Sequence, residues 1–346
     1  MDPFICTACG TQYTPSSVAP RECEICEEER QYVPPRGQTW TTLEALAAGH
    51  FNSYRQYELG VIGIGTQPSF AIGQRALLVC TPSGNVLWDC IAMLDPATIT
   101  LINGLGGLKA IGISHPHFYT TMVEWSRAFG GVPIHLHADD HRWIMRPDPS
   151  IQLWNEETLE LLPDVTLIRC GGHFPGGTVL HWAKGAGGRG VLCSSDIATV
   201  TIDRKFLSFM RSYPNLIPLS AKQVTGIAGA LEPFKFDTIY VHYFDRVILT
   251  NGKQIRETIC RGDKRRLQRR VSHEDILLWP GEGGPIRSRA PRGGATAAAA
   301  DSAWAAQGTK SSQPHRSERF LPQSPCLLPL ASGDARCRWP LRRAMW

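Results

Sequence analysis

The sequence lacks the features that mark membrane-spanning and exported proteins. No apolar run reaches about 18 residues, so we expect no transmembrane helix and no membrane partner. The first residues, MDPFICTACG, contain no basic region followed by an apolar core, so we expect no secretory signal and a cytoplasmic location. Without an export signal, a disulfide framework is not expected among the eleven cysteines.

The first 260 residues also lack a strong charge of either sign. They hold 20 Lys and Arg against 24 Asp and Glu, whereas residues 261–346 hold 16 against 7. The net charge of +5 therefore reflects the C-terminal segment alone. Charge does not support a nucleic-acid partner for the folded part, and the pattern leaves the oligomeric state open.

The C-terminal segment lacks any regular hydrophobic period. After Trp279 it is rich in Gly, Ala, Pro, Ser and Arg, a composition that cannot build a core. We therefore predict a disordered tail at 273–346, a domain at 38–272, and a small N-terminal unit with its linker at 1–37. A charged helix at Lys253–Arg270 is the last predicted element of the domain. An altered reading frame is an alternative explanation for the abrupt change in composition.

Four cysteines stand in a regular spacing near the N-terminus. Two CxxC pairs, separated by thirteen residues, are formed by Cys6, Cys9, Cys23 and Cys26. Each pair offers two thiolates to one tetrahedral ion, and four thiolates leave no open position for catalysis. A segment this short needs such a staple to hold its shape. The spacing predicts a structural zinc ribbon, with a redox pair or chance pairing as the alternatives.

A second candidate site begins at the stretch AIGISHPHFYTT, residues 110–121. An apolar run ends in Ser114-His115-Pro116-His117. In an extended chain, residues i and i+2 point to the same side, so His115 and His117 are expected to project together from a strand end. Two imidazoles aimed at one point are natural metal ligands. The alternative is a histidine pair with no ligand role.

Further polar residues follow apolar, strand-like runs. His173 comes after 165–170 and two glycines, Asp196 comes after 191–195, and His242 comes after 238–241. Strand ends on one edge of a sheet are where sites are built. Each residue alone has a structural interpretation, as a core histidine or a helix N-cap, but the repeated pattern favours a shared metal site. His135, His137 and His141 are interpreted as supporting or surface residues instead.

The order of predicted elements suggests two similar halves. A β-rich stretch is followed by helix, strand and helix, and the order repeats. Expected strands include 61–64, 69–72, 75–81, 85–90, 132–137, 151–154 and 178–183, and expected helices 95–105, 119–129, 138–145, 204–212 and 221–231. This order predicts an α+β protein in which two sheets pack together with helices outside, an αββα sandwich.

On these residues the sequence resembles the metallo-β-lactamase-fold hydrolase superfamily over residues 40–260. The family has an HxHxDH motif at a strand end, then a His, an Asp and a final His. By position, the resemblance assigns His115 and His117 to the first two motif histidines, and His173, Asp196 and His242 to the later ligands. A ribbon joined to this domain is similar to a bacterial and fungal subgroup with an SHPH motif. The family fold is the αββα sandwich.

The sequence departs from the family motif at two positions. Tyr119-Thr120 stands where the family has Asp-His, residues that help to hold a second metal. The three histidines His115, His117 and His173 still form the pattern of an open catalytic zinc site. We therefore expect one well-held metal, with Asp196 completing the site or holding a water molecule. Tyr119 is expected to bond water or substrate, or to fill the gap.

The resemblance implies a metal-dependent hydrolase of a small-molecule substrate. A mononuclear zinc ion would lower the pKa of bound water, and the resulting hydroxide would attack an ester, thioester, amide or similar bond. The expected cofactors are one structural Zn²⁺ and one Zn²⁺ in the hydrolase-type site, with iron as the alternative there. The other interpretation is a catalytically decayed binding or regulatory module that keeps the fold.

Overall fold

A computed structural model describes residues 1–249. The predicted helix at Lys253–Arg270 and the predicted tail at 273–346 lie outside the described residues. In the described part of the chain, no helix is both long and apolar enough to cross a bilayer.

The first sheet has seven strands that follow one another in chain order. Its first four strands are antiparallel, and the last three add in parallel. The parallel additions need crossovers, which the helices and 3-10 turns between these strands provide. The strands are Phe51–Glu58, Val61–Gln67, Arg75–Thr81, Gly84–Trp88, Ala110–Gly112, Ile134–His137 and Ile151–Trp154.

The second sheet has six strands and the same mixed character. Three antiparallel pairings join its first four strands, and Val247–Ile248 pairs antiparallel with Thr238–Tyr240 at the other edge. The strand Thr238–Tyr240 also pairs in parallel with Val191–Cys193. This pairing brings two strand ends to one edge of the sheet. The strands are Thr158–Leu162, Val165–Arg169, Thr178–Trp182, Val191–Cys193, Thr238–Tyr240 and Val247–Ile248.

The two sheets pack face to face. One buried cluster contains Leu77, Val79 and Trp88 from the first sheet and Leu167 and Leu180 from the second. The α-helices are Glu24–Glu27, Leu43–Ala47, Pro96–Gly104, Met122–Ala128, Gly185–Gly188 and Ala221–Leu231, and the 3-10 helices are Pro116–Phe118 and Ala138–Trp143.

Two separate clusters cover the outer faces of the sheets. On the first sheet, Ile102 and Trp125 of two helices pack with Ile111, and on the second, Ile227 of Ala221–Leu231 packs with Ile239. The predicted αββα sandwich is therefore confirmed.

The N-terminal segment packs into the first outer core. Cys6, Cys9, Cys23, Ile25 and Cys26 are buried together with residues of the first sheet and its helices. The short strand Ile5–Cys6 pairs with Trp40–Thr41 across the predicted linker. The backbone N–H of Gln12 donates to the carbonyl of Thr120 at 3.1 Å, next to the SHPH stretch. The segment thus shares a core with the sandwich, and the boundary at residue 38 stays a prediction.

Several element predictions were wrong. The segment predicted as a helix at 204–212 instead forms the short strands Leu207–Ser208 and Met210–Ser212. Arg204 has a φ of 58°, which a right-handed helix does not accommodate, and the segment pairs with Thr199–Val200 and Ile217–Pro218. The predicted strand at 69–72 is a turn region.

The two longest strands that the sequence analysis missed lie at sheet edges. Phe51–Glu58 reads FNSYRQYE, yet it pairs along Val61–Gln67 as the edge strand of the first sheet. Thr158–Leu162 is likewise the edge strand of the second sheet. Most side chains of both strands are exposed or half-buried, and the mostly polar sequence of Phe51–Glu58 carries little hydrophobic signal.

Candidate metal centre

Four strand ends bring the predicted residues to one place. His115 follows Ala110–Gly112, His173 follows Val165–Arg169, and Asp196 follows Val191–Cys193. His242 follows Thr238–Tyr240, the strand parallel to the one that carries Asp196. Because parallel neighbours end at the same edge, the second sheet delivers these two residues side by side.

The ligand atoms of His115, His117, His173 and Asp196, here called the His/Asp cluster, lie within 4.8 Å of one another. His173 Nε2 is 3.4 Å from His117 Nδ1, and His115 Nε2 is 3.3 Å from Asp196 Oδ2. Ligands about 2.1 Å from a tetrahedral zinc ion are about 3.4 Å apart. Within residues 1–249, buried His115 Nε2 has no hydrogen-bond partner. The residues present therefore fit a divalent metal.

The geometric reason given for the pairing of His115 and His117 was wrong. His115 has an extended backbone, but His117 lies in the 3-10 helix Pro116–Phe118. The two imidazole centroids are 5.0 Å apart and the rings are steeply inclined to each other, at 75°. The chain therefore turns after His115, and it is this turn rather than strand alternation that aims both rings at the cluster.

His242 lies on the far side of Asp196. Its Nδ1 is 3.2 Å from Asp196 Oδ1, whereas Asp196 Oδ2 faces His115. Asp196 thus lies between the cluster and His242 with one oxygen toward each. Of the five residues assigned by position, His242 is the one that the structure does not bring into the compact set.

Burial and neighbouring charges set the protonation states. Burial lowers the pKa of His117 well below its ordinary value and that of His173 to about 3. Burial alone would raise the pKa of Asp196, but His242 and His115 hold it below its usual range. Neutral imidazoles beside an ionised carboxylate are the states in which these side chains bind metals.

Hydrogen bonds orient the imidazoles from behind. His115 Nδ1 is 2.8 Å from Ser114 Oγ, and His173 Nδ1 donates to the carbonyl of Met210 at 2.9 Å. A bond at one ring nitrogen leaves the other nitrogen free and fixes the direction of its lone pair. The structure therefore holds the Nε2 atoms of both rings toward the cluster.

One carboxylate, missed by the sequence analysis, links two loops of the site. Asp89 is buried, accepts the backbone N–H of Ser114 at 2.8 Å and accepts the hydroxyl of Ser195. These serines directly precede His115 and Asp196. Asp89 follows the strand Gly84–Trp88, but the strand predicted at 85–90 contains it, so the pattern of polar residues after strand ends did not identify it.

Tyr119 and Thr120, at the positions where the resemblance predicts Asp-His, do not line the cleft. Tyr119 is buried in the first outer core with Phe118 and Met122, and burial raises its pKa well above the ordinary value. Thr120 has a φ of 29° and is buried. Of the alternatives for Tyr119, the structure supports filling of the gap.

The other histidines remain outside the His/Asp cluster. His137 Nδ1 accepts the backbone N–H of Asp139 at 3.2 Å, and its ring meets Trp154 edge-on. His141 Nδ1 donates to the carbonyl of Ala138 at 2.9 Å. His135 is half-buried in the strand Ile134–His137.

A cleft of about 560 Å³ opens above the cluster. The N-terminal segment contributes Arg30, Gln31 and Tyr32 to its wall. Arg246 also lines the cleft, with its guanidinium 4.9 Å from the ring centre of Tyr243. The lining residues are Arg30, Gln31, Tyr32, Ala71, Ile72, His117, His173, Asp196, Tyr213, Pro214, Leu216, His242, Tyr243 and Arg246.

The N-terminal cysteines Cys6, Cys9, Cys23 and Cys26, here called the four-cysteine centre, also converge. The sulfur atoms of Cys6 and Cys26 are 3.6 Å apart, as are those of Cys9 and Cys23. Four sulfurs about 2.3 Å from one zinc ion are about 3.8 Å apart, so the geometry fits a structural metal site. Gly10 has a φ of 86° and donates its N–H to the carbonyl of Cys6, which forms the expected tight turn.

The fold and the two clusters define a class, an αββα protein with a buried His/Asp metal-type site and a four-cysteine centre. The chain is 48% identical over 253 residues to a protein of Bacillus subtilis (strain 168) described as uncharacterized protein YmaE. This match covers 72% of the chain and 92% of YmaE. The chain therefore belongs to the YmaE family.

Solved structures similar to the chain include two metallo-β-lactamases. DIM-1 has a TM-score of 0.46 at 12% identity, covering 61% of this chain and 95% of that one. FIM-1 from Pseudomonas aeruginosa, in its mono-zinc form, has a TM-score of 0.45 at 14% identity, covering 62% and 96%. No protein-family model matches the sequence.

Proposed function

We propose that the protein is a metal-dependent hydrolase. The observation that carries the proposal is the convergence of four buried ligand atoms, from His115, His117, His173 and Asp196, within 4.8 Å at the base of a cleft. A divalent metal held there would polarise the scissile bond and lower the pKa of a water molecule. The imidazoles and carboxylate would hold the metal, and the cleft would hold the substrate.

Asp196 and His242 are proposed to handle the proton. Asp196 Oδ1 is buried and faces His242, but within residues 1–249 it accepts no hydrogen bond of good angle, so it keeps the capacity to accept a bond from a reacting water. His242 Nδ1, 3.2 Å from that oxygen, is placed to share the proton. The single hydroxyl proton of Tyr213 is shared between the carbonyls of Asp196, at 3.1 Å, and Ser208, at 2.9 Å, so Tyr213 supports the loop instead.

We further propose a single metal ion, and zinc as its identity. Three imidazoles with one carboxylate suit zinc, and iron is the alternative metal for such a set. A second ion would have only His242 and a shared Asp196 from the predicted residues, because Tyr119 is buried in the core and not in the cleft.

The substrate proposed is a small molecule with an anionic group. The cleft volume of about 560 Å³ suits such a ligand. Arg246 lines the cleft with its guanidinium over the ring of Tyr243, and this positive charge with its N–H donors suits an anionic group. The apolar wall residues Ile72 and Leu216 would face the rest of the molecule.

Metal analysis of His117→Ala tests the proposal. The purified wild-type chain should hold two zinc ions, one in each cluster, and His117→Ala should hold one. Turnover of a panel of esters, thioesters and amides should fall at least about 100-fold. His141→Ala, which removes a histidine outside the cluster, is the matched control and should retain both ions and full turnover.

The outcomes separate the two interpretations of the site. If the wild-type chain holds one zinc ion and His117→Ala holds the same amount, the proposed metal site is wrong, and so is the proposed hydrolase. Two ions without turnover of any substrate in the panel would favour the binding or regulatory module. The replacement of the family Asp-His pair by Tyr119-Thr120 is the observation that keeps this second function in view.

A further inference from the structure

We propose that the N-terminal segment, which carries the four-cysteine centre, holds the metal ligands of the His/Asp cluster in position. Arg30 is the positioning residue for His173. The inference rests on the proposed metal site and adds to it a supporting role for the N-terminal segment. Several contacts join the N-terminal segment to the ligands and to the loops that hold them.

Arg30 fixes the backbone of a ligand. Its Nε donates to the carbonyl of His173, although the two residues are 143 positions apart. Arg30 is 6% exposed, so water does not compete effectively for this bond. The side chain of His173 is held separately, by the bond from its Nδ1 to the carbonyl of Met210. With the carbonyl and the ring both bound, the direction of Nε2 is set.

The guanidinium of Arg30 also supports the imidazoles through Phe174. It lies 4.5 Å from the ring centre of Phe174. On that ring, His115 stacks at 5.5 Å with an interplanar angle of 27°, and His117 and His173 contact it edge-on. A cation on an aromatic face is held by the ring quadrupole. Arg30 and Phe174 thus form one packed support behind three ligands.

Arg30 is itself held by its own segment and by the loop that bonds His173. Its Nη1 pairs with Glu28, and its carbonyl accepts the hydroxyl of Ser212 at 3.2 Å. Asn215 Nδ2 donates to the carbonyls of Glu29 and Gln31. The second CxxC pair closes just before these residues, so a metal in the four-cysteine centre fixes the start of the stretch that carries Arg30.

A second buried side chain joins the two centres elsewhere. Gln74 is buried, and its Nε2 lies 3.4 Å from the carbonyl of Cys9 and 3.5 Å from the carbonyl of His117. One amide therefore lies between a residue of the four-cysteine centre and a ligand of the cluster. The N-terminal segment therefore reaches the cluster by two routes, through Arg30 and through Gln74. The bond from Arg30 to His173 is shorter than either contact of Gln74.

The test measures metal affinity at each centre separately in the full chain. Co²⁺ is the probe, since thiolate-to-cobalt charge-transfer bands report the four-cysteine centre, and d–d bands report the His/Asp cluster. Arg30→Gln should weaken Co²⁺ binding at the cluster about tenfold while the thiolate bands and their affinity stay unchanged. Arg30→Lys keeps a hydrogen-bond donor but loses the planar group over Phe174. Its Co²⁺ affinity at the cluster should lie between those of Arg30→Gln and wild type.

Two further variants keep the result interpretable. Arg21→Gln removes an exposed arginine of the same segment and should leave both affinities unchanged. Glu28→Gln removes the partner of Arg30 and keeps its bond to His173, so a smaller weakening at the cluster is expected, and this variant serves if Arg30→Gln does not fold.

Equal affinity of the cluster in wild type and Arg30→Gln would overturn the inference and leave the metal site intact. The inference would also be overturned if the Co²⁺ affinity of the cluster fell in proportion to the melting temperature in every variant, whether or not Arg30 was changed. If the wild-type cluster binds no Co²⁺, the proposed function fails and the inference fails with it, so the two failures are distinguishable.

Discussion

At the scale of single residues, Asp89 connects two loops with one carboxylate. Its oxygens accept from Ser114 and Ser195, which precede ligands on different sheets. Burial raises the pKa of Asp89 to about 6, and the bonds from the serines oppose this shift. Its φ of 62° is a conformation that Asp and Asn tolerate better than most residues.

We expect Asp89→Asn to loosen the His/Asp cluster. Asparagine tolerates the same backbone conformation and keeps one acceptor oxygen. Its amide nitrogen is a donor, so it cannot accept the second of the two bonds from Ser114 and Ser195, and the negative charge is lost. The free energy of unfolding should fall by about 1–2 kcal/mol, and zinc affinity at the cluster should fall about tenfold. Urea denaturation and metal competition measure the two effects.

Asp164→Asn is the matched control for Asp89→Asn. Asp164 also has a positive φ, of 70°, but its carboxylate pairs with the exposed Lys184 at the surface. Both measured quantities should stay close to wild type, because surface ion pairs contribute little. If the two variants behave alike, the linking role of Asp89 is wrong.

At the scale of elements, the helix Ala221–Leu231 shows how local signals and tertiary packing agree. Ser220 accepts the backbone N–H of Gln223, and the Gln223 side chain accepts the backbone N–H of Ser220 in return, a complete capping box. The buried face, with Val224 and Ile227, covers the second sheet. A Cβ on Gly172 would lie 2.8 Å from Ile227, so the helix also explains the glycine before His173.

Removal of the cap is expected to destabilise the whole sandwich modestly. Ser220→Ala leaves the Gln223 N–H without its acceptor, at a cost of about 1 kcal/mol in the free energy of unfolding. Thr225→Ala, in the same helix, removes a hydroxyl that bonds only the preceding turn and should change stability by less than about 0.5 kcal/mol. Equal losses in the two variants, measured by urea denaturation, would contradict the capping role.

At the scale of the whole molecule, the four-cysteine centre belongs to the first outer core, the cluster that covers the outer face of the first sheet. Its cysteines are buried with Ile25 among residues of the first sheet. Burial of a metal site within a shared core makes the local and global folding one process.

Cys9→Ser therefore tests cooperativity. Loss of the structural metal removes binding free energy that stabilises the folded state, so the melting temperature should fall by at least about 10 °C in one transition. Differential scanning calorimetry with zinc analysis measures both. Cys80→Ser is the control, because Cys80 is half-buried and lies outside the four-cysteine centre. This variant should retain the zinc of the four-cysteine centre and melt within a few degrees of wild type. A separate early transition with an unchanged main one would show an independent ribbon.

The sequence by itself determined the sandwich and the residues that meet at its edge. Apolar runs that end in His or Asp identified four strand ends, and the two CxxC pairs identified the four-cysteine centre, because both patterns are local along the chain. The edge strand Phe51–Glu58 and the segment at 204–212 escaped this logic, since their pairing partners rather than their own residues make them strands.

Only the tertiary structure decided how the centres are joined and supported. Arg30 meets His173 across 143 positions, and Ser195 meets Asp89 across 106, so no local pattern signals either contact. The turn at Pro116–Phe118, and not strand alternation, aims His117 at the cluster. Such contacts form because packing two sheets and the N-terminal segment around common cores closes long loops, and their energies depend on burial that exists only in the folded chain.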